Sequence, residues 1–274
     1  MLLRYKTLKK KSRIFKKLTG HTLKQFAVLS ARLKIVAVQL SSPLGRKAKL
    51  DSLEDKLLAL LIYYRTYISY EFLGYLIGLD QSNLCRLFKK LEPMMARRVS
   101  IKKDRTLRAE QVEQLLIDAT EQAIQRPKKS SQRKRTYSGK KKRHSLKIEC
   151  VMTPEGQIKA LSKSYPGCVH DLTIRRCSDP LPQEAIKRVD LGYLGLDQEM
   201  SHVLLPHKRR KQTVLSLGQR LYNKAHGSIR ILIEHKFAQL KKFKILGEVY
   251  RNSMKRHHLR WNIIAGLVNM QCGF

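Results

Sequence analysis

The chain has 274 residues, enough to bury a proper core in one large or two modest domains, and carries 57 Lys and Arg against 21 Asp and Glu. Its net charge of +36 far exceeds what solubility requires and calls for a polyanionic partner: nucleic acid first, with a ribosomal type of RNA binder or an anionic membrane surface as the other fits. Five scattered cysteines (Cys85, Cys150, Cys168, Cys177, Cys272) without a CxxC pair argue for reduced thiols in a cytosolic protein and against a zinc site or a disulfide framework, while no apolar run reaches transmembrane or signal-peptide length.

In chain order, Arg4 to Lys17 reads as a basic arm with little periodicity, mobile or ordered only on DNA, and Thr22 to Leu40 as a weak helix. These make up an expected N-terminal segment, residues 1–42. Ser42-Pro-Leu-Gly-Arg46 is the first turn cluster and opens an expected helical domain, residues 43–105. Ser52 starts a helix with a Ser-x-x-Asp signature and sets Leu53, Leu57, Leu60, Leu61 and Tyr64 on one face. A helix from about Ser69 to Ile77, with Phe72, Leu73 and Leu76 apolar, runs into the tight Gly78-Leu79-Asp80. Asp80 can cap the following helix, Gln81 to Leu91, whose inward residues are Leu84, Leu87, Phe88 and Leu91. Helix, short glycine turn and helix make a helix-turn-helix layout. The second helix shows Ser82, Asn83, Arg86 and Lys90 outward, residue types that reach base edges or phosphates in a major groove. A plain helical bundle would carry the same apolar pattern; the basic outward face favours the DNA-binding reading.

After Pro93 the pattern changes, and residues 110–274 are expected to form a mixed α/β domain. Val112 to Ile117 is a strand-like run that ends in Asp118. Arg126 to His144 reads as a long basic hairpin loop, and its Lys140, Lys141, Lys142 and Arg143 are candidate phosphate contacts. Ser145 to Met152 and Gln157 to Ser164 are further strands, His170-Asp171 begins a short helix, and Ala185 to Val189 is a fourth strand ending in Asp190. A basic insertion, His202 to Gly227, leads to a last helix with Ile229, Leu232, Ile233, Leu240 and Phe243 on one arc. Beside that arc Arg230, Glu234 and Lys241 form a stripe about 40° wide. Alone, the stripe would be an ordinary ion pair on a solvated helix.

Strand, strand, strand, helix, strand, helix is the order of a ribonuclease-H-like domain. An α+β or mixed α/β fold of this kind gathers acids at the ends of its central strands into one cleft. Asp118, Asp190 and Glu234 would repel one another there and take up protons unless divalent cations were held between them. With oxygen donors alone and no His or Cys at ligand spacing, Mg2+ or Mn2+ is favoured over Zn2+. Two such ions would activate water or a 3′-hydroxyl and stabilise the leaving oxygen of a phosphodiester.

The segments Ile117-Asp118-Ala-Thr-Glu, Tyr137-Ser-Gly through Lys147, Pro166-Gly-Cys-Val-His-Asp171, Asp190-Leu-Gly-Tyr193 and Arg230-Ile-Leu-Ile-Glu234 through Lys241 resemble a DDE transposase. The nearest group is the bacterial insertion sequence 5 family, related to the Harbinger transposases. The likeness runs from about Ser52 to Leu267. It implies an enzyme that binds the terminal inverted repeats of its element, cuts there and joins the ends to target DNA. It further implies Asp118, Asp190 and Glu234 as catalytic metal ligands, and Arg230 and Lys241 as basic partners at the DNA phosphates. A homo-oligomer on DNA in the cytoplasm, at the nucleoid and away from membranes, follows from the same likeness. Two departures stand out: Gly227 occupies a place where the family often has tyrosine, and Ala119 follows Asp118 where glycine is common.

Asp171 competes with Asp190 for the second acid, although its place after Pro-Gly suits a helix cap or first-turn acid better. His170 beside it is a candidate supporting group. Trp261 reads as core packing within an apolar helix, with base stacking as the alternative. A transposase-derived DNA-binding regulator without chemistry remains a rival, which the presence of all three acids disfavours. A structural RNA-binding protein explains the charge but not the acids.

Overall fold

The computed structural model describes residues 3–37, 49–101, 112–209 and 214–274. The turn cluster at Ser42 lies outside the described residues, apart from which two compact units are resolved. One comprises residues 1–100, 241–248 and 262–274, the other residues 101–240 and 249–261.

In the helical unit the expected arm is folded. Helices α1 (Tyr5–Leu8) and α2 (Ser12–Thr19) replace it, and α3 (Leu23–Ala37) falls where the weak helix is expected. Charge hid the pattern, because few apolar residues suffice: Phe15 is fully buried, with its ring against those of Tyr5 and Phe26. Thr22 and Gln25 exchange side chain to backbone hydrogen bonds of 3.3 and 3.0 Å, a capping box that fixes the start of α3. Helix α4 (Leu53–Thr66) is capped as expected, the Asp55 amide donating to Ser52 Oγ at 3.0 Å. Every residue from Leu57 to Tyr64 is buried, so α4 is a central helix with no solvent face rather than a one-sided one.

Helix α5 (Tyr70–Ile77) is capped by Ser69 and closed by Gly78, whose φ of 69° the turn requires. Leu73 and Ile77 are buried, while the apolar Phe72 is 55% exposed. Helix α6 (Gln81–Val99) starts on Asp80, which accepts the Ser82 amide at 2.8 Å. It runs past the expected end at Leu91 and through Pro93. Proline removes one helical hydrogen bond, and the burial of Met94, Met95 and Val99 beyond it offsets that loss.

In the second unit, β1 (Gln114–Ala123) pairs antiparallel with β3 (Arg143–Met152), which pairs antiparallel with β4 (Ile158–Leu161). The strand β6 (Ile186–Arg188) joins β1 in parallel, and β7 (Val203–Leu204) joins β6. The central order β4-β3-β1-β6 is the expected ribonuclease-H-like meander with a parallel fourth strand. Two short strands, β2 (Tyr137–Ser138) and β5 (Tyr165–Pro166), flank β3. One face of the sheet buries Val112, Leu115, Ile117, Val151, Val189 and Tyr193. The basic stretch expected as a loop contains a helix, α7 (Ser130–Thr136). Helix α8 (Asp171–Arg176) is where the sequence predicts it. Helix α9 (Leu217–Lys241) begins inside the expected insertion, well before Ser228. The short α10 (Lys244–Gly247) and the long α11 (His257–Gln271) close the chain.

Candidate active site

Asp118 lies within β1 and not at its end, opposite Cys150 of β3. Strand pairing continues to Ala123 because the polar residues after Asp118 find partners on one side or the other. Glu121 accepts from Ser138 Oγ at 3.1 Å and from Ser145 Oγ at 2.6 Å. Gln122 accepts from the indole of Trp261 at 3.2 Å. Trp261, 1% exposed, is therefore a core residue, as its helical setting predicts.

The parallel pairing of Leu116 with Arg188 carries the chain leaving β6 towards Asp118. Two residues on, Asp190 accepts the Gly192 amide at 2.7 Å and caps the 3-10 turn Leu191–Tyr193. Arg230 of α9 joins the two acids, its Nη2 standing 3.1 Å from Asp118 Oδ2 and 4.0 Å from Asp190 Oδ2. All three side chains are at least three-quarters buried, and Arg230 Nε is buried without a hydrogen-bond partner.

Asp171 belongs to the same cluster. As the first residue of α8 it accepts Lys147 Nζ at 3.1 Å, while that ammonium also donates to the Val169 carbonyl at 2.9 Å and lies 3.8 Å from Glu121. A β-carbon on Gly192 would stand 2.7 Å from Asp171 Oδ2 and 2.9 Å from Asp190 Oδ1, so both carboxylates close on a position that has room only for glycine. Lys147 is a site residue that sequence reasoning missed. Its in-register pairing with Glu121 is a cross-strand relation that spacing along one strand does not reveal. His170 is the cap position of α8 but makes no side-chain cap bond.

Electrostatics follow from this crowding. Burial, assisted by the charges of Asp190 and Asp171, pushes the Asp118 carboxyl up to about 6 against the opposing pull of Arg230 and of the Ala119 amide. Behind it, Glu149 is 1% exposed, ion-paired with Arg175 at 2.7 Å, and raised to about 7 by burial. The Tyr193 hydroxyl weighs on the Glu149 charge without meeting hydrogen-bond geometry, and burial drives its own acidity far down.

The remaining expected residues fall in separate places. Glu234 is on α9 one turn beyond Arg230 and is exposed. Among the described residues no group of three or more His, Cys, Asp or Glu is close enough to hold one ion, so Asp118 and Asp190 are brought together and Glu234 is not drawn in with them. Lys241 ends α9 and is half-buried. Ser82, Asn83, Arg86 and Lys90 are exposed on α6, with Arg86 Nη1 donating to Asn83 Oδ1 at 3.2 Å. Lys140, Lys141, Lys142 and Arg143 are exposed around the turn between β2 and β3.

A divalent ion suits the pair of aspartates by donor chemistry. Both are carboxylates, and the cation that eases their mutual repulsion in the structure is the Arg230 guanidinium.

Comparison with known proteins places the chain in a family. Residues 117–269 match a family model described as DDE superfamily endonuclease, and residues 48–101 match the helix-turn-helix of DDE superfamily endonuclease. The chain is 33% identical over 266 residues, 95% of each sequence, to a protein named as a transposase for insertion sequence element IS702 of Microchaete diplosiphon. It is 26% identical over 212 residues, 75% of each, to one named as a transposase for IS112 of Streptomyces albus G. No solved structure matches it. Endonucleases of this superfamily use divalent metal ions. No helix among the described residues is long and apolar enough to cross a membrane. With a helix-turn-helix, a ribonuclease-H-like sheet and two acids joined at one cation, the chain belongs to the DDE superfamily endonucleases and is a DNA-binding, DNA-cleaving transposase of an insertion sequence.

Proposed function

We propose that this transposase recognises the terminal inverted repeats of its element through the exposed face of α6 and cleaves and transfers those ends at Asp118, Asp190 and Glu234. The convergence of Asp118 and Asp190 on the single guanidinium of Arg230 carries the reading. Arg230 offsets part of the negative charge of the two aspartates until DNA arrives, then turns to a phosphate, which brings its buried, unpartnered Nε to an acceptor. Freed of Arg230, Asp118 and Asp190 would be the residues to hold Mg2+ or Mn2+, and Glu234 would supply the third carboxylate from α9. Two ions bound there would supply an activated water or 3′-hydroxyl and neutralise the leaving oxygen. Lys241 and the Lys140 to Arg143 turn hold phosphates. The helical residues 43–105 serve recognition and the sheet after residue 110 serves chemistry. The enzyme works on double-stranded element ends and target DNA as a homo-oligomer, in the cytoplasm at the nucleoid.

Asp171 has a different part: paired with Lys147, it fixes the start of α8 against the turn that carries Asp190. Cleavage of an end-containing duplex in Mg2+ or Mn2+ separates the roles. Asp118→Ala, Asp190→Ala and Glu234→Ala should each abolish cleavage while keeping repeat binding. Asp171→Ala should cost on the order of 1 kcal/mol of stability and leave cutting reduced but measurable. A folded Asp171→Ala that fails to cut beside an Asp190→Ala that still cuts would reverse the assignment. The regulator alternative is not favoured, since it needs neither the acids nor their convergence; a parent protein that binds the repeats yet never nicks them would restore it.

A further inference from the structure

Beyond the end of β1 the sheet unit carries an open groove of about 740 Å3, lined by cations, the Tyr137 ring and the His144 imidazole. Arg126, Arg133, Lys134, Lys142 and Arg143 supply the charge, and no lining side chain is acidic. Tyr137 supplies the ring, 45% exposed. Its backbone is held by pairing with His144 across β2 and β3, and its ring meets that imidazole edge-on, with centroids 5.6 Å apart. His144 is anchored in turn: its carbonyl accepts the Ile124 amide at 3.0 Å and its Nδ1 lies 3.1 Å from Thr136 Oγ1. The ring is therefore fixed in place while remaining partly open to solvent.

We propose that this groove binds a nucleotide of an unpaired DNA strand, with the base stacked on Tyr137 and its phosphates on the surrounding Arg and Lys side chains. The chemistry chooses among the forms of DNA. Paired bases keep their faces inside the duplex, and a purely phosphate-binding groove gains nothing from an exposed ring on a rigid support. An aromatic platform framed by cations accepts any base whose face is free. The volume, within the usual range for organic ligands, is ample for one nucleotide.

Position gives the groove a use in the reaction. Ile124 follows the last residue of β1 and lines the groove, while Asp118 lies in the same strand. Six residues of strand cover roughly 20 Å, comparable to about six nucleotides of a stacked strand. A strand end freed near the acids can thus be held in the groove without leaving the sheet unit. This role rests on the proposed cleavage at Asp118 and Asp190; the binding itself does not.

The test uses the full-length protein and three fluorescent probes: a short oligo(dT), the same phosphodiester backbone with every base removed, and a mixed-sequence duplex. Binding is read by anisotropy at fixed salt. The parent protein should hold oligo(dT) about 5- to 150-fold more tightly than the abasic strand, from the stacking of one base. Tyr137→Ala should erase that preference, and Tyr137→Trp should keep it. Circular dichroism confirms that each variant is folded. Equal affinity of the parent for both strands would overturn the proposal, and so would a preference that survives Tyr137→Ala or is lost in Tyr137→Trp. End cleavage is assayed separately on an end-containing duplex in Mg2+ or Mn2+. A parent that never cuts but shows the Tyr137-dependent preference sinks the proposed function alone, and one that cuts without it sinks only the groove.

Discussion

The Asp118 carboxyl is raised because it is buried beside two other acids, and that has a consequence for stability. Between an unfolded value near 4 and its folded value of about 6, the native state keeps a proton that the unfolded chain has released. Stability of the metal-free protein should therefore fall as pH rises through that window, by up to about 3 kcal/mol from this one residue. Asp118→Asn removes the charge while keeping the shape, so it should be the more stable protein at pH 7.5 and equal to the parent near pH 4. Urea melts at several pH values check this, and a difference that does not change with pH would refute it. Glu149 titrates in a similar range, near 7, but is common to both proteins and cancels in the comparison.

Two helices carry predictions of different kinds. Helix α2 has enough buried surface in Phe15 to belong to the folded body. Phe15→Ala should cost about 3–5 kcal/mol by chemical denaturation, the usual range for emptying a buried aromatic site. A loss below about 1 kcal/mol would mean that the N-terminal helices are not part of the cooperative unit. Helix α6 presents Asn83 and Arg86 to solvent with a hydrogen bond between them. If they read bases, Asn83→Ala and Arg86→Ala should each reduce discrimination between repeat and random DNA by about 1–3 kcal/mol while leaving affinity for random DNA nearly unchanged. Parent and variants that bind repeat and random DNA alike would remove the recognition role.

For the molecule as a whole, a net charge of +36 makes DNA affinity a matter of counter-ion release. With six or more phosphates neutralised, binding to duplex DNA should weaken about a thousand-fold or more between about 50 and 200 mM salt. A log–log slope near zero would show that the excess charge serves something other than the phosphate backbone. Charge also explains where sequence patterning is obscured. In α2 and α7 the lysines and arginines outnumber the few residues that pack, so an amphipathic helix resembles an arm or a loop.

Local chemistry made much of the chain readable. Ser52, Ser69 and Asp80 cap the helices they precede, and strand-length apolar runs became β1, β3, β4 and β6 in the expected order. These depend on neighbours within a few residues, which one sequence displays. Register and long-range approach were decided only in three dimensions. The continuation of β1 past Asp118, the Lys147 ammonium between Asp171 and Glu121, and the closing of Asp171 and Asp190 on Gly192 join residues tens of positions apart. Arg230 was legible as a partner of Glu234 on its own helix, yet the fold gives it to Asp118 and Asp190. An exposed i,i+4 pair offers little, whereas two buried carboxylates without a cation would be costly, and burial is a property of the packed fold.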